Sequence, residues 1–265
     1  MKQFTLIIAL ILFSFLSFVS GVAQTTETKK AQTAEEKQKE IEIRKFVIDF
    51  ASQMDEKKDI RLITENYFTA DFKQNFMSFI FSSDDFPTQF TQTERYQSSS
   101  EMFNLMYLGL MSMYGNGYNF DSFSDEKTDN IVKKILPPNI IELAKSNPYL
   151  KALIEDNDEK SEDLEKDLKD AAKVRQLVSD LHKINEALKT HIESQPLQWH
   201  KSYQIKVAEG RKECDYFNAR VCDKENCGGL PEKTIIYHHD LFPFCLEIIE
   251  KDGSYKIMKI YLRMD

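Results

Sequence analysis

Apolar residues recur at helical spacing through the first two thirds of this chain and at alternating positions in the last third. Ile43, Phe46, Val47, Phe50 and Met54 mark one stripe, and the helix they predict starts at Ile41. A second short helix is expected over Lys58–Phe68. A third starts at Phe72, with Phe76, Phe79 and Ile80 on one side and Thr69 or Asp71 as cap. Residues 82–100, with Pro87 and three consecutive serines, read as a polar loop. From Met102 to Tyr114 apolar side chains surround the helix on every side, the signature of a buried element, and Gly115-Asn116-Gly117 ends it.

A short helix over Ile131–Leu136 stops at Pro137-Pro138, and Asn139–Ile154 is interrupted at Asn147-Pro148. The most regular pattern runs from Asp158 to Glu193. There Leu164, Leu168, Ala171, Val174, Leu177, Leu181, Ile184, Leu188 and Ile192 step by threes and fours. Arg175 and His182 break a strict heptad, which favours packing along the body of the protein over self-association through a coiled coil.

After Pro196 the period becomes two. Trp199, Tyr203, Ile205 and Val207 alternate with polar residues, and further extended pieces cover 214–222, 234–237, 242–250 and 255–263. Lys251-Asp252-Gly253-Ser254 is a hairpin turn. The fold class is therefore α+β: one domain over 41–265, with a helical layer over 41–196 and an antiparallel sheet over 197–265.

The N-terminus carries a different pattern. Lys2 precedes an apolar run from Phe4 to Val19, and Ser20-Gly21-Val22-Ala23 supplies small residues at a cleavage point. Charged start, apolar middle and small-residue exit make 1–23 a cleavable signal peptide, so the expected location is secreted or periplasmic. The run is shorter than the roughly 20 residues that span a bilayer, and no membrane association is expected after cleavage. Residues 24–40 are polar and read as a disordered linker.

Composition narrows the partners. The formal charge is −8, with basic and acidic residues interspersed, so a nucleic-acid partner is excluded. Nineteen Phe and eleven Tyr imply an aromatic interior or pocket. Phe103 and Tyr107 of the buried helix, with Trp199, Tyr203, Tyr255 and Tyr261 of the sheet, are the candidate ligand-binding residues. The occupant is an unspecified small molecule or protein, and no cofactor is expected.

Four cysteines, Cys214, Cys222, Cys227 and Cys245, all lie in the sheet portion. An even number in an exported chain points to two disulfides. Three pairings are open. Cys222–Cys227 closing a short loop with Cys214–Cys245 joining two strands is preferred, though the sequence does not decide among them. The zinc alternative, with His238 or His239 added, lacks the close Cys-x2-Cys pair of structural sites, so no metal is expected.

Two stretches look familiar. Arg44–Met54, Lys58-Asp59-Ile60-Arg61 and Tyr67-Phe68-Thr69-Ala70-Asp71-Phe72 resemble the opening of exported proteins of the NTF2-like superfamily. Cys245–Ile257, with its Asp-Gly turn leading into Tyr255-Lys256-Ile257, resembles their last hairpin. The resemblance implies a curved sheet wrapped on N-terminal helices around a cone-shaped pocket, with 73–195 as a large helical insertion. It implies no particular activity, because that superfamily holds isomerases, dehydratases and plain binding modules.

His238-His239-Asp240 is the densest titratable cluster, and a histidine oriented by a carboxylate is suited to general base work. Adjacent strand residues point to opposite faces, so one of the two histidines at most faces a site beside Asp240 or a residue from elsewhere in the chain. The acidic stretches 155–159 and 119–129 lack the Gly and Glu of a calcium loop. His182 and His191 fall on opposite sides of their helix. No nucleophile elbow, phosphate loop, zinc-protease or dinucleotide fingerprint occurs. A non-catalytic binding module is the leading expectation. Isomerase, dehydratase or hydrolase chemistry on the His–Asp pair is the alternative, and assembly through the 158–193 helix is a third.

Overall fold

The computed structural model describes residues 33–77, 87–115, 133, 136–148, 150–151, 169–194, 217–222, 230–241 and 244–262. Residues 87–194 of this set belong to one compact unit; 33–77 and 217–262 form another. The pattern over 41–265 reads as one domain, but two units close. The helical unit interrupts the chain of the unit that holds the sheet. The class is α+β, with helices in the N-terminal half and a four-stranded antiparallel sheet at the C-terminal end.

The sheet unit opens with α1, Ala34–Lys57. It starts seven residues before Ile41, so 34–40 is helix and not linker. The cause is local: Thr33 accepts from the Glu36 amide at 3.1 Å, and the Glu36 carboxylate accepts from the Thr33 amide at 2.7 Å. Lys58, at φ 54°, closes the helix in the left-handed region. Instead of one helix over 58–68 there follow a 3₁₀ turn, Ile60–Leu62, and a short α2, Thr64–Tyr67. Helix α3, Phe72–Met77, comes next. Its entry is held by the Thr69 main-chain carbonyl, which accepts from the Phe72 amide at 3.0 Å.

Strands β1 (Phe217–Val221), β2 (Ile235–Leu241), β3 (Phe244–Lys251) and β4 (Ser254–Leu262) form a meander in sequence order. Asp252 and Gly253, with φ of 52° and 74°, make the two-residue β3–β4 turn, since both sites need a left-handed backbone. The β3–β4 register shifts at Glu247/Ile248, a bulge that adds local twist. Helices α1, α2 and α3 all pack on this sheet. Ile43, Val47, Phe50, Met54, Phe72 and Phe76 are fully buried, as are Phe244, Leu246, Ile248, Ile257 and Ile260 of the strands. Phe50 meets Phe68 edge-on at 5.7 Å, and Phe72 stacks on Phe76 at 4.9 Å. A parallel bridge, Phe68 to Ile257, pins the short helices to β4.

The helical unit contains α4 (Gln92–Gly115), α5 (Pro138–Lys145) and α6 (Ala171–Glu193). Helix α4 takes in residues 92–100 of the stretch that reads as a polar loop. Thr91 and Glu94 form a second reciprocal cap, with contacts of 2.8 and 3.2 Å. The serines inside it are not a breaker: Ser98 and Ser100 donate back to the Glu94 and Tyr96 carbonyls at 2.8 and 2.7 Å. Helix α6 begins at Ala171, not Asp158, because Asp170 is an extended N-cap that accepts from the Ala172 amide at 2.9 Å.

Helices α4 and α6 run parallel, since contacts advance together along both. Arg175 donates to Glu94 at 2.8 Å, and seven residues later His182 meets Glu101 at 3.0 Å. The two residues that spoil the heptad of α6 are thus among those that bind α4. The apolar stripe Val174, Leu177, Leu181, Ile184, Leu188 and Ile192 is buried within the chain, so the exposed stripe that self-association needs is missing from 171–193. Asn147, just beyond α5, donates to Asp180 of α6 at 2.9 Å.

Candidate functional site

Strand β2 carries the candidate residues, and alternation assigns them to two faces. Residues Tyr237, His239 and Leu241 share the face on which Leu246 and Ile248 lie. His239 is 1% exposed and sits opposite Leu246, a position in the packed interior. His238 belongs to the other face, opposite Asn218 on β1 and Glu247 on β3. The two histidines thus lie on opposite faces, His239 buried and His238 part-buried.

Among the described side chains, the carboxylate beside His238 is that of Glu247. The Glu247 oxygen lies 4.0 Å from His238 Nδ1, and Arg220 of β1 donates from Nε to His238 Nε2 at 3.0 Å. A second guanidinium nitrogen of Arg220 lies 3.6 Å from Glu247. Arginine has donors alone, so Nε2 must accept and the ring proton resides on Nδ1, toward Glu247. Burial pushes the His238 pKa below its ordinary value; the positive charge of Arg220 adds to the effect and Glu247 opposes it. The ring is thus held neutral, with its basic lone pair already engaged. A general base needs that lone pair for a substrate proton.

Beside this trio on the same face lies a small apolar cluster: Cys222, Ile236 and Ile249, with Leu230 and Met258 packed against it. Cys222 and Cys245 are both buried, and no described cysteine is a free thiol. They are not paired with each other. Cys222 binds the Thr234 carbonyl, whereas Cys245 lies opposite Asp240, six residues further along β2. That separation is roughly 20 Å, far beyond the ~7 Å Cα limit of a disulfide. Of three possible pairings, the one containing Cys222–Cys245 is eliminated. Cys214 and Cys227 lie outside the described residues.

Of the proposed aromatic lining, the side chains of Phe103, Tyr107 and Tyr255 lie within the described residues. Phe103 and Tyr107 are 1% and 2% exposed in α4 of the helical unit, their rings stacked at 6.3 Å as core residues. Tyr255 is half-buried in the sheet unit, where it joins α1 to β4. Its hydroxyl donates to Glu42 at 2.8 Å and accepts from Lys39 at 3.2 Å, and its ring packs against Phe46 and Tyr237. Burial, then the Glu42 hydrogen bond, push the Tyr255 pKa up to about 12. Lys39 also pairs with Glu250 at 2.9 Å. Trp199, Tyr203 and the Tyr261 side chain lie outside the described residues, as do the acidic stretches 119–129 and 155–159.

The polar contact that sequence reasoning missed lies between α4 and α6. Glu101 is 3% exposed, and Asn185 donates to its carboxylate at 2.6 Å and to its main-chain carbonyl at 2.9 Å. A Glu inside an otherwise apolar-flanked helix was the available signal. Among the described residues no group of three His, Cys, Asp or Glu side chains is placed to hold a metal ion. Comparison with protein-family models, curated proteins and solved structures returns no match.

Proposed function

We propose that this chain is an exported, disulfide-containing binding or interaction module without catalytic activity. The observation that carries the reading is the Arg220 Nε–His238 Nε2 hydrogen bond. It occupies the lone pair a general base would use, while His239 is committed to the packed face. Among the described ion pairs, Lys39–Glu250 joins α1 to β3 and Arg61–Asp59 lies at the 3₁₀ turn.

Export follows from the leader pattern at 1–23, and no helix of the described residues is long and apolar enough to cross a membrane. In an oxidising compartment Cys222 and Cys245 each pair with one of Cys214 and Cys227. The NTF2-like reading is supported by helices packed on one face of a bulged antiparallel meander, and by a helical segment interposed between α3 and the sheet. In that reading the ligand is a small molecule or a protein partner.

The test is to purify the secreted chain and assay it with small esters, lactones and ketosteroids alongside His238→Ala and His239→Ala variants. The reading expects no turnover sensitive to either substitution, and a specific copurifying ligand in native mass spectrometry. Turnover abolished by His238→Ala would establish the enzyme alternative instead.

A further inference from the structure

We propose that His238 is a proton-operated latch for the outer strand β1: neutral, it holds Arg220 onto the sheet; protonated, it releases Arg220 and loosens β1. The geometry supplies two arrangements of one cluster. With a neutral ring, Arg220 reaches diagonally across β2, donates to His238 Nε2 and lies near Glu247. Adding a proton to Nε2 turns the acceptor into a donor, so two N–H groups and two positive charges would face each other at 3.0 Å. The imidazolium instead competes with the guanidinium for Glu247, already 4.0 Å from Nδ1.

Glu247 is on β3, and one of its oxygens already lies 3.6 Å from Arg220 and 4.0 Å from His238 Nδ1. Arg220, with 37% of its side chain exposed, is the most solvent-accessible of the three; His238 and Glu247 are exposed to 19% and 13%. The charged groups around His238 are Arg220 from β1 and Glu247 from β3, with Lys259 of β4 beyond, opposite Glu247. Among the other described side chains of β1, Asn218, Ala219 and Val221 are exposed.

The sign is fixed by the environment. The folded state disfavours the protonated ring, so stabilisation is complete above the ordinary histidine value of 6.5 and declines as pH falls through it. The experiment is amide hydrogen exchange, corrected for intrinsic rates, at pH 7.5 and 5. It compares the β1 amides (217–221) with those of β3 (244–251), in the full chain and in His238→Gln. Gln presents a neutral acceptor to Arg220 at every pH.

The expected result is a loss of β1 protection relative to β3 on the order of 5- to 150-fold, the range of typical site couplings. This loss should be absent in His238→Gln. Equal protection ratios at both pH values, or an unchanged loss in His238→Gln, would overturn the latch. An NMR titration of the unsubstituted protein keeps the test independent of that variant's folding. The Arg220 Nε–H resonance should shift with the same midpoint as the His238 ring, and distinct midpoints would equally overturn it.

Discussion

Asn185 donates from one side-chain amide to both the carboxylate and the main-chain carbonyl of Glu101, at 2.6 and 2.9 Å, inside the α4–α6 interface. A carboxylate 3% exposed survives there because donors replace the water it lost. His182, half exposed, supplies a further contact from the solvent side. The contact also fixes the axial alignment of the two parallel helices, as an isolated polar group in an apolar seam does.

Substituting Asn185→Ala should therefore destabilise the helical unit by about 1.5–3 kcal/mol, the range for a hydrogen bond to a charged group. Chemical denaturation followed by circular dichroism measures it. A loss under roughly 0.5 kcal/mol would mean that Glu101 is satisfied without Asn185. Glu101→Gln keeps the shape and removes the charge, and should cost less than Asn185→Ala.

The reciprocal cap at the start of α4 makes a second claim. Thr91→Ala removes the acceptor for the Glu94 amide and should cost about 1 kcal/mol. Thr91→Ser should restore most of it, because the hydroxyl is what matters. If Ala and Ser variants unfold at the same denaturant concentration, the cap contributes nothing.

Alkaline pH should weaken the join between α1 and β4. Tyr255 titrates at about 12 in the folded protein against an ordinary value of 10.0. The folded state thus holds its proton more tightly, and that stabilisation is complete below pH 10 and is lost as pH rises from 10 toward 12. Stability curves of the parent and Tyr255→Phe should converge over this interval. Curves that stay parallel from pH 9 to 12 would contradict the assigned partners Glu42 and Lys39.

Two bridges in the secreted chain predict a mass increase of about 4 Da on reduction, one for each sulfur that regains hydrogen. Peptide mapping without reduction should never recover Cys222 linked to Cys245, given their positions on the sheet. Finding that pair would show that the β1–β2–β3 register is wrong.

Local chemistry and periodicity in the sequence determined a good deal of this protein. The stripe of α6, the period-two strands and the Asp252-Gly253 hairpin each depend on residues a few positions apart, so they are readable without a fold. The two Thr-x-x-Glu caps at 33–36 and 91–94 are equally local, and they explain why α1 and α4 start earlier than apolar periodicity alone indicates.

Tertiary structure decided the rest. That His238 meets Arg220 and Glu247, that Glu101 is buried against Asn185, and that Cys222 lies far from Cys245 all follow from strand register or helix pairing. These contacts join residues 9 to 84 positions apart, and their free energy depends on which surfaces meet, a quantity absent from any local window of the chain.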